Sequence, residues 1–227
     1  MSCDPKDDAT SAARAAGRQL RDVSDYPEFC ANWRPTTTAV LENRAYGSVR
    51  HRVVLAPDGA PLYDFPHIIE PGGAALLPYT REGRVALLRV DRPALLKRSP
   101  TGPYPDFLVP SDYGRLVWEA PRGYRNLDED TCSTALREFF EETGLVAQRL
   151  EPVGSVAANS ALLATPIDLY VGMVDPNSIP VEDTKEGIRE VKFFSLAGIR
   201  ELIDSGELIC SITLALLFAA ITRGNLK

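Results

Sequence analysis

Glu138, Glu141 and Glu142, with Arg137 beside them, stand in the stretch 123–145, GYRNLDEDTCSTALREFFEETGL, which reads as one helix entered from Gly123 and ended at Gly144. At about 100° per residue, Glu141 and Glu142 fall within roughly 60° on either side of Glu138, while Phe139 and Phe140 point away. Like charges three and four residues apart oppose a helix by roughly 0.2–0.5 kcal/mol per pair, so a cation is needed. Arg137 neutralises one acid. The remaining excess suits a hard divalent ion such as Mg²⁺, which takes oxygen ligands and is shared with substrate phosphates; an acidic triplet alone would equally make a solvated face.

The spacing goes further than the triplet. Gly123 is followed after five residues by Glu129, then after seven by Arg137-Glu138-Phe139, Phe140, Glu141-Glu142, Thr143, Gly144 and Leu145. This is a complete match to the Nudix box, G-x5-E-x7-R-E-U-x-E-E-x-G-U, and by it the chain resembles the Nudix hydrolases. Gly123 permits a backbone turn and Gly144 suits a helix C-cap of positive φ, although either could be plain turn chemistry. Glu129 lies about 12 Å before Arg137 along an ideal helix, so the two meet only if Glu129 sits on the entering loop. The resemblance implies that this Glu–Arg pair is structural. It also implies that Glu138, Glu141 and Glu142 ligate Mg²⁺ or Mn²⁺, with a backbone carbonyl near Arg122 adding another oxygen.

Elements must position this stretch. A chain of 227 residues, 44% hydrophobic and 25% charged, can bury a full core. The reading divides it into a polar, partly helical N-terminal extension, 1–46, with a helical stretch around Ala12 to Val23, and a domain over 47–227. Strands are expected at Ser48–Ala56 and Pro61–Ile69 around an Asp58-Gly59 turn, then at Gly73–Tyr79 and Arg84–Val90. Five prolines in 91–117 exclude a long regular element there. The aromatics of that loop, Tyr104, Phe107 and Tyr113, either cover a base or sugar or pack the loop down. A short strand at Leu116–Ala120 delivers the chain to the box. After it, strands are expected at Val146–Ala158, Ile167–Val174 and Ile188–Ser195, an acidic loop at Asp175–Gly187, and helices at Ala197–Ser205 and Leu208–Thr222. This order fits an α+β fold, and resembles the Nudix α/β/α sandwich with its mixed sheet.

Outside the box the chain is similar to the ADP-ribose pyrophosphatase branch. The carriers are Pro71-Gly72-Gly73-Ala74-Ala75, Val85-Ala86-Leu87-Leu88, Arg92 after that strand, Trp118-Glu119-Ala120-Pro121-Arg122-Gly123, and Glu186-Gly187-Ile188. The branch's usual proline beyond the box is replaced here by Ser160 or Ala161, and Val90 stands where it carries Gln. The resemblance implies a Nudix pyrophosphohydrolase, ADP-ribose diphosphatase-like, that splits the diphosphate of ADP-ribose or a related nucleotide sugar into nucleoside monophosphate and sugar phosphate. Other nucleoside diphosphate compounds, such as a GDP-sugar or a dinucleotide, and a non-catalytic nucleotide sensor are the alternatives. Arg92 and Glu119 are the substrate-binding candidates. One carboxylate must act as base: the resemblance points to Glu186 first and Glu182 second, with Glu141 the candidate inside the box.

A formal charge of −6 argues against a nucleic-acid partner. Cys3, Cys30, Cys132 and Cys210 have no CxxC spacing and read as reduced thiols in a cytoplasmic protein. The N-terminus has no basic-then-apolar signal pattern, and the run Leu208 to Ile221 is too short and interrupted to span a bilayer. His51 and His67 read as surface or satisfied core residues. The family branch implies a homodimer, to which two apolar hairpins between Ser48 and Val90 and the N-terminal extension lend local support.

Overall fold

The computed structural model describes residues 36–43, 47–56, 58, 60–97, 111, 113–175, 177, 180–181 and 187–226. The expected helix around Ala12 to Val23, the loop aromatics Tyr104 and Phe107, and the candidate bases Glu182 and Glu186 lie outside these residues. The chain divides into two compact units, one of 1–71 with 159–165, the other of 72–158 with 166–227.

In the first unit, β1 (Thr36–Asn43), β2 (Gly47–Leu55) and β3 (Pro61–Ile69) form an antiparallel sheet in sequence order. Thr36–Asn43 belongs by sequence to the polar extension, yet its threonines and Val40-Leu41 suit a pleated strand. The 159–165 turn closes on β3, with the Ile68 N–H donating to Leu162 O at 2.7 Å and the Ala164 N–H to Ile68 O at 2.8 Å. His67 is buried without a hydrogen-bond partner for either ring nitrogen among the described residues. Burial, then Arg52, Arg50 and His51, lowers its pKa and so favours the neutral ring.

The second unit is built on a seven-stranded sheet with the order β10-β5-β4-β9-β8, to which β6 adds on β5 and β7 on β4. Its strands are β4 (Gly73–Tyr79), β5 (Val85–Leu96), β6 (Tyr113–Glu119), β7 (Arg122–Tyr124), β8 (Arg149–Val156), β9 (Ile167–Met173) and β10 (Ile188–Phe194). The sheet is mixed, since β4 and β9 run parallel and the other pairs antiparallel. Alternation along β4 decides the layers. Ala74 and Leu76 pack with Ala135 and Phe139 of α1 (Thr131–Thr143). Ala75 and Leu77 face the cluster of Ile199 and Leu202 in α2 (Leu196–Ser205) and Ile212, Leu216 and Leu217 in α3 (Ser211–Thr222). The result is the α+β sandwich with helices on both faces. Burying Phe139 completely contributes about 2 kcal/mol. No helix among the described residues is long and apolar enough to cross a membrane.

One expectation needs correction. The segment 91–117 is not loop throughout, because β5 continues to Leu96 and β6 begins at Tyr113. Pro93, which lacks an N–H, falls in the register shift between Arg92 and Leu96, where the ladder needs no donor. Of the two box phenylalanines, Phe139 is fully buried and Phe140 is 57% exposed, since a single helix stripe faces the sheet.

Candidate active site

Helix α1 is fixed at both ends. The Asp130 carboxylate accepts the Ser133 N–H at 2.7 Å as the N-cap, and Gly144, at φ 66°, donates its N–H to Phe140 O. A left-handed residue there favours glycine. Leu145 then turns back into the core beside Phe139.

Arg137 organises the acids on this helix. Its Nε and Nη2 donate to Glu129 Oε1 and Oε2, both at 2.9 Å, and Nη2 also donates to Tyr124 O at 2.9 Å. Its Nη1 donates to Glu138 Oε1 at 2.8 Å and to Glu141 Oε2 at 2.9 Å. Glu129, one residue ahead of the N-cap, also accepts from the Thr134 hydroxyl at 3.0 Å. Hydrogen bonding from Arg137 holds the Glu129 carboxyl down at about 2, against an ordinary 4.5. The same contact, with those to Glu138 and Glu141, holds the Arg137 charge more firmly than usual.

The three box glutamates are therefore not equivalent. Glu138 is nearly buried, Glu141 is 51% exposed, and Glu142 is 4% exposed with Oε2 accepting the Arg122 N–H at 3.0 Å. Among the described residues no three acidic, histidine or cysteine side chains are gathered into a ready metal cluster. The guanidinium of Arg137 draws Glu138 and Glu141 to itself, while Glu142 turns to the β7 backbone.

Gly123 has a different role from a turn glycine. It lies inside β7 without positive φ, and a Cβ built on it would fall on the Glu138 carboxylate. The missing side chain is what lets Glu138 lie against the strand. The donor set of carboxylates beside a backbone edge is all oxygen, and that chemistry fits a hard divalent ion.

Four residues before Gly123, Glu119 is 3% exposed, and its Oε2 accepts from Arg92 Nε at 3.0 Å, Arg92 Nη2 at 2.6 Å and Arg122 Nη2 at 3.1 Å. Burial pushes the Glu119 carboxyl up, but Arg122 and Arg92 together bring it below its ordinary value. Burial likewise opposes the Arg122 charge, and the negative groups around it, Glu119 foremost with Cys210 and Glu142, outweigh it. Sequence reasoning assigned Arg122 only a carbonyl. The Glu119-x-x-Arg122 spacing was the available signal for its side chain, whereas Arg92, 27 residues from Glu119, meets it only through the β5–β6 ladder.

Removing Arg137 leaves Glu129 and Glu138, both largely buried, without their guanidinium. Arg137→Ala is expected to cost about 2 kcal/mol, the range for hydrogen bonds to charged groups. Glu129 has a depressed folded-state pKa, so its stabilisation is complete above about 4.5 and lost as pH falls towards about 2. Thermal melts at neutral pH should separate wild type from the variant, and melts through that acid window should bring them together. A metal-free melting temperature unchanged at neutral pH would show that Arg137 is not holding the loop.

The family model of the NUDIX domain matches residues 73–209. Nudix hydrolase 7 of Arabidopsis thaliana is 29% identical over 89 residues, 39% of this chain and 30% of that protein. The aligned part thus spans less than a third of that relative. A solved structure titled ADP compounds hydrolase superposes with a TM-score of 0.58 at 15% identity, covering 92% of this chain and 98% of its own. At that identity the likeness is one of fold.

Proposed function

The chain belongs to the NUDIX domain family of hydrolases, and from that premise we propose that it cleaves the diphosphate of ADP-ribose or a related nucleotide sugar, using Mg²⁺ or Mn²⁺. The observation that carries this reading is the apposition of Glu138 to Gly123 beside Glu142 and the Arg122 backbone. It puts hard oxygen donors next to a pair of guanidiniums held by Glu119.

Glu138, Glu141, Glu142 and the carbonyl of Arg122 would hold the ion. When bound, such an ion neutralises diphosphate charge and lowers the pKa of a coordinated water. Arg92 binds the substrate's anionic oxygens, and Glu119 orients it. A carboxylate takes the proton of the attacking water as the new O–P bond forms and the bridging P–O bond breaks, leaving nucleoside monophosphate and sugar phosphate. Glu186 is the first candidate for that base, Glu182 the second and Glu141 the third. The described flanks support the loop acids: the Val181 N–H donates to Thr143 O at 2.8 Å, and the Asp91 N–H to Gly187 O at 3.0 Å. The flanking residues Val181 and Gly187 are thereby bonded to α1 and β5.

The test is a screen of nucleoside diphosphate derivatives with Mg²⁺, scored by product identity. ADP-ribose turned over to AMP and ribose 5-phosphate is the expected result. Preference for a GDP-sugar or a dinucleotide would move the substrate, and binding without turnover would make the domain a sensor. A cytoplasmic homodimer completes the reading, and light scattering at micromolar concentration tests its pairing.

A further inference from the structure

One buried carboxylate needs one cation, but Glu119 has two. Arg92 and Arg122 both bond its Oε2, and each side chain remains about a third exposed. Within the trio two guanidiniums meet one carboxylate, and Glu142 is the next acid whose charge reaches Arg122. Arg122 Nε is buried without a hydrogen-bond partner among the described residues, and a buried donor left unpaired costs free energy until an acceptor meets it.

The Arg122 backbone places this guanidinium pair, because its N–H is bonded to Glu142 while its side chain reaches Glu119. The residue thus joins the box acids to the guanidinium pair. Planar guanidiniums match phosphate oxygens through paired N–H donors, which a lysine cannot reproduce.

We propose that the Arg122 side chain is a specificity-determining residue that, together with Arg92, grips the diphosphate of the substrate, with Glu119 as the positioning residue for both guanidiniums. This rests on the diphosphate-hydrolase reading and deepens it. The fork selects a diphosphate over a single phosphate, because two guanidiniums leave donors for two anionic groups. Arg122 therefore acts on binding more than on the chemical step.

The experiment uses Arg122→Met, which keeps much of the stem volume, and Arg122→Lys, which keeps the charge. Binding of α,β-methylene-ADP and of inorganic phosphate is measured by calorimetry in EDTA, and kcat and KM are measured with Mg²⁺ on the screened substrate. Arg122→Met is expected to weaken α,β-methylene-ADP binding and raise KM by about tenfold, the loss of one charge-assisted contact. Its kcat should change less, and Arg122→Lys should recover part of the affinity. Inorganic phosphate binding should be weak in all three proteins. A merely structural Arg122 would alter the melting temperature and leave the binding constant alone, which would overturn the proposal. So would a wild type that does not bind α,β-methylene-ADP in EDTA. A wild type that turns over no nucleoside diphosphate derivative refutes the hydrolase reading instead, and the metal-free binding ratio is still read separately.

Discussion

Glu142→Gln leaves the protein folded and lowers turnover by about a thousandfold, the scale of losing several kcal/mol of charge stabilisation at a metal ligand. The carboxylate is almost fully buried and accepts the Arg122 N–H. A carboxamide oxygen can accept the same bond in nearly the same volume. Burying a neutral group is also less costly than burying a charge, so the melting temperature should hold or rise. What disappears is the negative charge that a divalent ion needs from its ligand. Turnover at saturating Mg²⁺ beside a melting curve gives the measurement. A folded variant with near-normal turnover would remove Glu142 from the metal site.

The same residue shows where sequence legibility ends. The period of the box, Asp130 before it and Gly144 after it announce a helix, and α1 runs from Thr131 to Thr143. Equally, apolar runs punctuated by Asp-Gly and charged turns announce the strands that form both sheets, and the α+β sandwich follows. But periodicity treats the three glutamates alike, whereas tertiary contacts divide them into one nearly buried against Gly123, one exposed beside Arg137 and one sealed on Arg122. Strand β7 was not legible because three residues after Pro121 carry no alternation, and it exists only by pairing with β4. Strand β1 hid in a polar segment. The continuation of β5 past Pro93 hid behind a residue that usually ends a strand, and only the bulge in its register admits it. Arg92 and Glu119 each stood out by resemblance, but their direct bond depends on strand pairing, which no local spacing encodes.

Gly123→Ala is expected to separate activity from stability. Gly123 has no positive φ, so an alanine meets no backbone objection there. Its Cβ would instead fall on the Glu138 carboxylate, the far end of a flexible side chain that can swing aside. The fold therefore loses little. Glu138, however, can no longer lie against β7, and its bond from Arg137 Nη1 must be remade in another geometry. Displacing a group in a reacting constellation by about 1 Å can cost about a hundredfold in rate, and that is the loss expected in kcat. The Mg²⁺ concentration needed for half-maximal activity should rise as well, because the substitution moves a proposed ligand rather than deleting it. Metal titrations of activity and melting curves on the same preparation make the distinction. Wild-type turnover would show that the close approach of Glu138 to Gly123 has no part in the chemistry, and a rate loss matched by unfolding would return Gly123 to a purely structural role.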